Sequence, residues 1–434
     1  MIPALLLVAV AGLMHAARSF STDGSLAGTE LAFGFLLLAA YFTGKIVNRF
    51  GLPKLTGYLT AGVISGQFVM GLVTKDMAVS LKVVSSTATA ILALEAGSEL
   101  QLKKIRPVLA TLKAMTIFAV FGAMFVIALA LFLMRPWLPL FDGMDFTQSL
   151  AVAMVIGVAL SAQSPAVVMA LLAETRAEGP LASTMLASVV VADLCVILVF
   201  SIASTLTTAV IGGGMDVAAT SLSVAWEILG SMVFGIVIGM LIGQFLRSIT
   251  NGASLFALMI CVIVAEIGQR VHLDPLIVML AAGIWLRNFS RADASALFHG
   301  FESAQLPVFL VFFALAGTKL DVRELWGAII PVVIIALVRA GAFFAGTRVA
   351  TRTTGAPEVV RRYAWFGLVP QAGLALALAN VLKDTFPSFG GKAAVILFGV
   401  VGFNELIAPV ILRIMLLRSG EAGKKQGVDF AAGH

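Results

Sequence analysis

The sequence predicts an all-α polytopic membrane protein, and three observations lead there. Apolar stretches of about 17–25 residues, the length that crosses a bilayer as a helix, recur from end to end of the chain. Hydrophobic residues make up 60% of the 434 positions and mean hydropathy is +1.04. Charged residues are 12%, against roughly 25% in soluble domains, so little mass is left for water-exposed structure. The connections are short, and none is long enough to separate domains.

About thirteen spans follow from hydrophobic patterning, at 29–48, 53–72, 77–98, 107–134, 146–173, 180–210, 217–248, 253–269, 273–288, 302–318, 325–350, 357–382 and 388–417. Residues 1–28 add an extra N-terminal helix, a fourteenth span, or a leader, because 1–17 is apolar but has no basic start. The third span closes on Ala96-Gly97-Ser98-Glu99-Leu100, and the tenth closes on Ala316-Gly317-Thr318-Lys319-Leu320. That echo fits two inverted six-helix repeats, 29–210 and 253–417, joined by a linker helix at 217–248. The polar, Gly/Ala-rich tail, 418–434, is expected to be disordered.

Lys/Arg counting sets the orientation. One side of the drawn topology collects Lys45, Arg49, Lys54, Lys103, Lys104, Arg106, Arg348, Arg352, Arg361 and Arg362, and it is cytoplasmic by the positive-inside rule, with the C-terminus. The net charge of +6 is therefore a topology signal and not a nucleic-acid one.

Two spans carry middles that cannot face lipid as ordinary helices. They are Ser161-Ala162-Gln163-Ser164-Pro165 in the fifth and Val369-Pro370-Gln371-Ala372-Gly373 in the twelfth. A helix-breaking Pro beside a Gln frees backbone groups that need partners away from lipid. Each break lies in the fifth span of its half, as crossed discontinuous helices require. Such helices bring dipole ends and open carbonyls to an ion site. A Pro kink packed against its neighbours is the structural alternative.

Asp193 lies in the sixth span within Val189-Val190-Val191-Ala192-Asp193-Leu194, with no charged neighbour. A carboxylate at that depth faces a bundle interior, a partner or a water-filled cavity, so it reads first as an ion or proton site. Ser161, Gln163 and Ser164 are the candidate companion ligands. Arg339, central in the eleventh span, either balances a carboxylate or locks two helices together. Glu405, in the last span, is a structural ion-pair member or a site residue.

Other chemistries are not indicated. His15, His272, His299 and His434 are scattered without ligand spacing, so neither a metal nor a cofactor is expected. Cys195 and Cys261 form no disulfide framework. No nucleotide loop of the form Gly-x-x-x-x-Gly-Lys-Ser/Thr occurs, so an ion gradient is the energy source for any pumping.

The chain resembles the monovalent cation:proton antiporter family of the sodium/proton exchanger superfamily over about residues 30–420. The likeness rests on Gly51-Leu52-Pro53 through Ala61-Gly62, on Ser161–Leu172, on Val189–Asp193, and on Asn404–Pro409 with Leu417–Glu421. The last of these is similar to the junction where Kef-type potassium systems continue into a cytosolic domain. The resemblance implies a mobile core domain, a rigid dimerisation domain and a homodimer in a bacterial inner membrane. It also implies that Asp193 alternately binds H+ and Na+ or K+. Where the family often carries Asp, Asn or Gln before that acid, this chain has Ala192, which favours one-for-one electroneutral exchange. Two other readings stay open: a gated cation pathway governed by a separate regulatory subunit, and a non-transporting component of a complex.

Overall fold

The structure, a computed structural model, describes residues 26–99, 108–211, 226–248, 253–271, 273–290, 295–318, 329–371 and 373–424. Among these residues there are helices and turns and no strands. The helices are α1 (Leu26–Arg49), α2 (Lys54–Ser65), α3 (Lys82–Glu99), α4 (Leu109–Leu133), α5 (Phe146–Leu160), α6 (Pro165–Thr175), α7 (Pro180–Ile211) and α8 (Ser231–Ser248). They continue as α9 (Ala253–Val271), α10 (Pro275–Asn288), α11 (Ser295–Thr318), α12 (Ile329–Thr353), α13 (Glu358–Tyr363), α14 (Gly373–Thr385) and α15 (Gly390–Arg418). The expected N-terminal helix 1–17 and the start of the linker, 217–225, lie outside the described residues.

Among the described residues, six stretches are long and apolar enough to cross a membrane, including Leu109–Leu133, Pro180–Ile211 and Gly390–Arg418. Their outer faces carry large apolar side chains such as Phe125, Leu133, Ile202 and Leu337. A helix that is apolar on both its packed and its outer face is a membrane helix. The chain is a multi-pass integral membrane protein.

Two expected spans are altered. The second stops at Ser65, where the Gly66 amide closes the helix on the Gly62 carbonyl. The twelfth is divided into α13, a 3-10 turn at Ala364–Leu368, and α14.

The helices sort into two bundles. One holds α1–α3 and α8–α11, and the other holds α4–α7 and α12–α15; α6 against α3 and α15 against α2 are the principal contacts between them. Neither bundle is one half of the sequence. Each half supplies its first helices to one bundle and its last helices to the other.

Two glycine pairs knit the first bundle. A Cβ on Gly97 of α3 would lie 2.2 Å from the Leu280 carbonyl oxygen of α10, and one on Gly283 would lie 2.2 Å from that of Leu94. Between α2 and α11, Gly62 and Gly317 do the same against the carbonyl oxygens of Ala314 (2.0 Å) and Leu59 (2.3 Å). Small residues let membrane helices approach this closely. The echo at Gly97 and Gly317 is thus half of a four-glycine pattern. Its other half is Leu59-Thr60-Ala61-Gly62 matched by Leu280-Ala281-Ala282-Gly283.

The tail departs from expectation. Glu421 is 3% exposed, and its carboxylate accepts the amide N–H groups of Leu181 (2.8 Å) and Ala182 (2.9 Å). The Gly423 amide donates to the Thr175 carbonyl at 2.9 Å. The first amides of α7 have no partner within their own helix, and Glu421 caps them from the far end of the chain. Residues 419–424 are therefore folded onto α6 and α7 rather than disordered; 425–434 lie outside the described residues.

Candidate functional site

The first break follows from its sequence. Pro165 has no amide hydrogen and a fixed φ, so it starts α6 rather than continuing α5. Ser164 caps that start by accepting the Val167 amide at 3.2 Å. Residues 161–164 are buried and non-helical between the two segments. The second break, at Val369-Pro370-Gln371, separates the 3-10 turn from α14.

Arg339 joins the breaks. Fully buried on α12, it donates from Nε to the Leu160 carbonyl (2.7 Å) and from Nη2 to those of Ala162 (2.8 Å) and Leu368 (3.2 Å). Its Nη1 donates to the Val369 carbonyl at 2.5 Å. The guanidinium also lies over the Phe343 ring, 4.7 Å from the centroid. Both helix ends offer unpaired carbonyls and partial negative charge, and a rigid five-donor cation answers both. Of the two roles open in the sequence, locking the helices is the one with geometry behind it, and the partner is backbone rather than a carboxylate.

Gln371 ties the breaks a second time. Its Nε2 donates to the Leu160 carbonyl at 2.9 Å, while its Oε1 accepts from Asn404 Nδ2 of α15 at 2.7 Å. Pro370 is buried beside it. Glu405, next to Asn404, is buried on α15.

Asp193 sits on α7, 4% exposed, with Oδ1 accepting the backbone N–H of Gln163 at 3.3 Å. The side-chain amide of Gln163 donates to the Ser161 carbonyl at 2.5 Å. Its Oε1 is buried and, among the described residues, has no hydrogen-bond partner. Such an orphan acceptor is unfavourable until a hydrogen-bond donor or a cation reaches it.

Asp193, Gln163, Ser164 and Pro165 line a cavity of about 240 Å³ between the two bundles. From the other bundle the wall includes Phe312 and a second carboxylate, Asp274. Ser161, Arg339 and Glu405 are not in the wall. The Ser161 hydroxyl donates back to the Val158 carbonyl at 2.7 Å, at the end of α5. Asp274 escaped sequence reading because an Asp-Pro step opening a span reads as a helix start. Matching Leu280–Gly283 to Leu59–Gly62 would have singled it out, since it then falls opposite the uncharged Pro53.

The arrangement presents an acid, an unsatisfied amide oxygen and the first helix break at one cavity, with the second break braced to the first through Arg339 and Gln371. That is a cradle for a dehydrated cation or a proton. Among the described residues no three His, Cys, Asp or Glu side chains gather as a metal-ligand set.

Comparison with known proteins agrees. The family described as "Sodium/hydrogen exchanger, transmembrane" matches residues 34–418. Among solved structures, the fold is similar to the sodium proton antiporter MjNhaP1 from Methanocaldococcus jannaschii, with a TM-score of 0.65 and 16% identity. The match covers 91% of this chain and 100% of that one. No match was found among curated proteins. The chain belongs to the sodium/hydrogen exchanger family and is a monovalent cation:proton antiporter.

Proposed function

We propose that Asp193 is the shared carrier, holding either a proton or Na+ or K+, and that the two are exchanged one for one by alternating access. The observation that carries this reading is the orphaned Gln163 Oε1 in the same cavity wall as Asp193, whose carboxylate accepts the Gln163 amide. That hydrogen bond leaves most of the acid's lone pairs for an ion. A bare carboxylate is too costly to carry through a low-dielectric barrier, whereas a protonated or cation-paired one is neutral. Occupancy by one substrate at a time then couples the two fluxes.

The two bundles supply the moving parts. On this reading α4–α7 and α12–α15 shift as a unit, held rigid by Arg339 and Gln371, against a fixed bundle that pairs with a second copy. Residues 29–210 and 253–417 are the two inverted repeats, 217–248 the linker, and the C-terminus is cytoplasmic in a bacterial inner membrane. One end of the bundle interface is shut by Arg413 of α15 and Glu174 of α6, which pair at 3.4 Å within the moving bundle and together grip the start of α2: Arg413 donates to the Gly51 carbonyl, and the Lys54 amide donates to Glu174. That end carries the cytoplasmic Lys/Arg excess, and Asp274 stands toward the opposite one. The conformation is thus one closed to the cytoplasm.

Among the described residues, Asp193 is the only acid of the moving bundle that lines the cavity, which keeps the cycle electroneutral. In proteoliposomes with an imposed pH gradient and a pH dye, Na+ or K+ is expected to drive proton movement. Its rate should be the same with the membrane potential clamped at zero or at an imposed value. Absence of cation-driven proton flux contradicts the carrier reading. Net charge movement by the wild-type protein contradicts one-for-one exchange.

A further inference from the structure

Among the described residues, Asp274 is the one charged group that the fixed bundle contributes to the cavity wall. It precedes α10, where Oδ1 accepts the Leu276 amide at 2.7 Å, and its own amide donates to the Ser231 hydroxyl of α8 at 2.9 Å. Capping alone explains an oxygen at this place but not a charge, since Asn and Ser cap a helix as well as Asp. The equivalent start of α2 is Pro53, buried and without charge. Asp274 therefore brings a carboxylate of its own helix start into the cavity wall that Asp193 also lines, where the matched Pro53 brings none. Both carboxylates line one cavity, so a cation entering it meets the field of both.

We propose that Asp274 is the entering cation's first anionic partner, a positioning residue that sets apparent cation affinity from the side opposite the Arg413–Glu174 closure. This rests on Asp193 as the carrier. Asp274 belongs to the fixed bundle, so it stays behind when Asp193 moves and its attraction acts on one face of the membrane only. A cleft lined by one sign of charge concentrates counter-ions by roughly tenfold or more. That effect is screened as ionic strength rises.

The test uses the full-length protein in proteoliposomes, with Na+ titrated against choline. Asp274→Asn keeps a capping oxygen and removes the charge. It is expected to raise the KM for Na+ about 3–10-fold, with a smaller change in Vmax. The wild-type KM should climb with added choline chloride, and that of the variant should stay nearly flat. Melting temperature should match wild type for Asp274→Asn and fall for Asp274→Ala, which loses the cap as well; both variants should share the raised KM. An Asp274→Asn protein with the wild-type KM and salt dependence overturns the proposal and leaves Asp274 a helix cap. Asp193→Asn, run in parallel, keeps the two ideas apart. If it still exchanges, the carrier assignment fails, while Asp274 is judged by its own KM.

Discussion

Asp193→Asn is expected to stop cation:proton exchange, lowering it on the order of 100-fold or more, while the protein stays folded. The amide matches the carboxylate in size and its Oδ1 can still accept the Gln163 N–H. It cannot take up and release a proton, nor carry the charge that holds a cation. Removing a charge from a buried site lifts a desolvation penalty, so melting temperature should equal or exceed that of wild type. Dye-reported exchange in proteoliposomes and thermal unfolding in detergent check the two halves of this expectation. Normal exchange would move the carrier role elsewhere, with the buried Glu405 of α15 next in line.

Arg339→Ala is expected to do the reverse, damaging the protein before it changes ion preference. The substitution withdraws hydrogen bonds from the carbonyls of Leu160, Ala162, Leu368 and Val369, of which only Leu160 keeps the Gln371 amide as a side-chain donor. A buried acceptor left unsatisfied costs about 1–3 kcal/mol, so a combined loss of roughly 3–5 kcal/mol is expected after partial relief by water. Arg339→Lys should recover only part of it, because an ammonium is a point donor where two separated helix ends need a planar fork. Melting temperature and detergent-solubilised yield report the effect. A variant as stable as wild type yet inactive would place Arg339 in the transport cycle itself.

The helix breaks were legible in the sequence because proline announces itself: Pro165 and Pro370 each sit with a glutamine in otherwise apolar runs. Asp193 was legible for the same kind of reason, a charge where hydrocarbon should be. What Arg339 binds was not, because backbone carbonyls carry no sequence signature and the guanidinium could as well have met a carboxylate. Glu421 read as part of a loose tail because the amides it caps lie 240 and 239 positions away. Asp274 was hidden by its neighbour Pro275, which makes any Asp before it look like a helix start. Ser161 lies outside the cavity wall. A serine at the last turn of a helix has a carbonyl of its own helix within reach, and the Ser161 hydroxyl takes it. The four-glycine pattern was half visible, since Gly97 and Gly317 echo one another in sequence but touch Gly283 and Gly62 on other helices.

The central claim is that one carboxylate holds proton and cation in turn, and proton release on cation binding tests it most directly. Titrating Na+ or K+ into the detergent-solubilised protein by calorimetry, in buffers of different ionisation enthalpy, counts protons released per cation bound. Wild type is expected to release close to one proton per cation at a pH where Asp193 is protonated, and Asp193→Asn to release none. Cation binding by wild type without proton release, or undiminished release from Asp193→Asn, would contradict a shared site at Asp193.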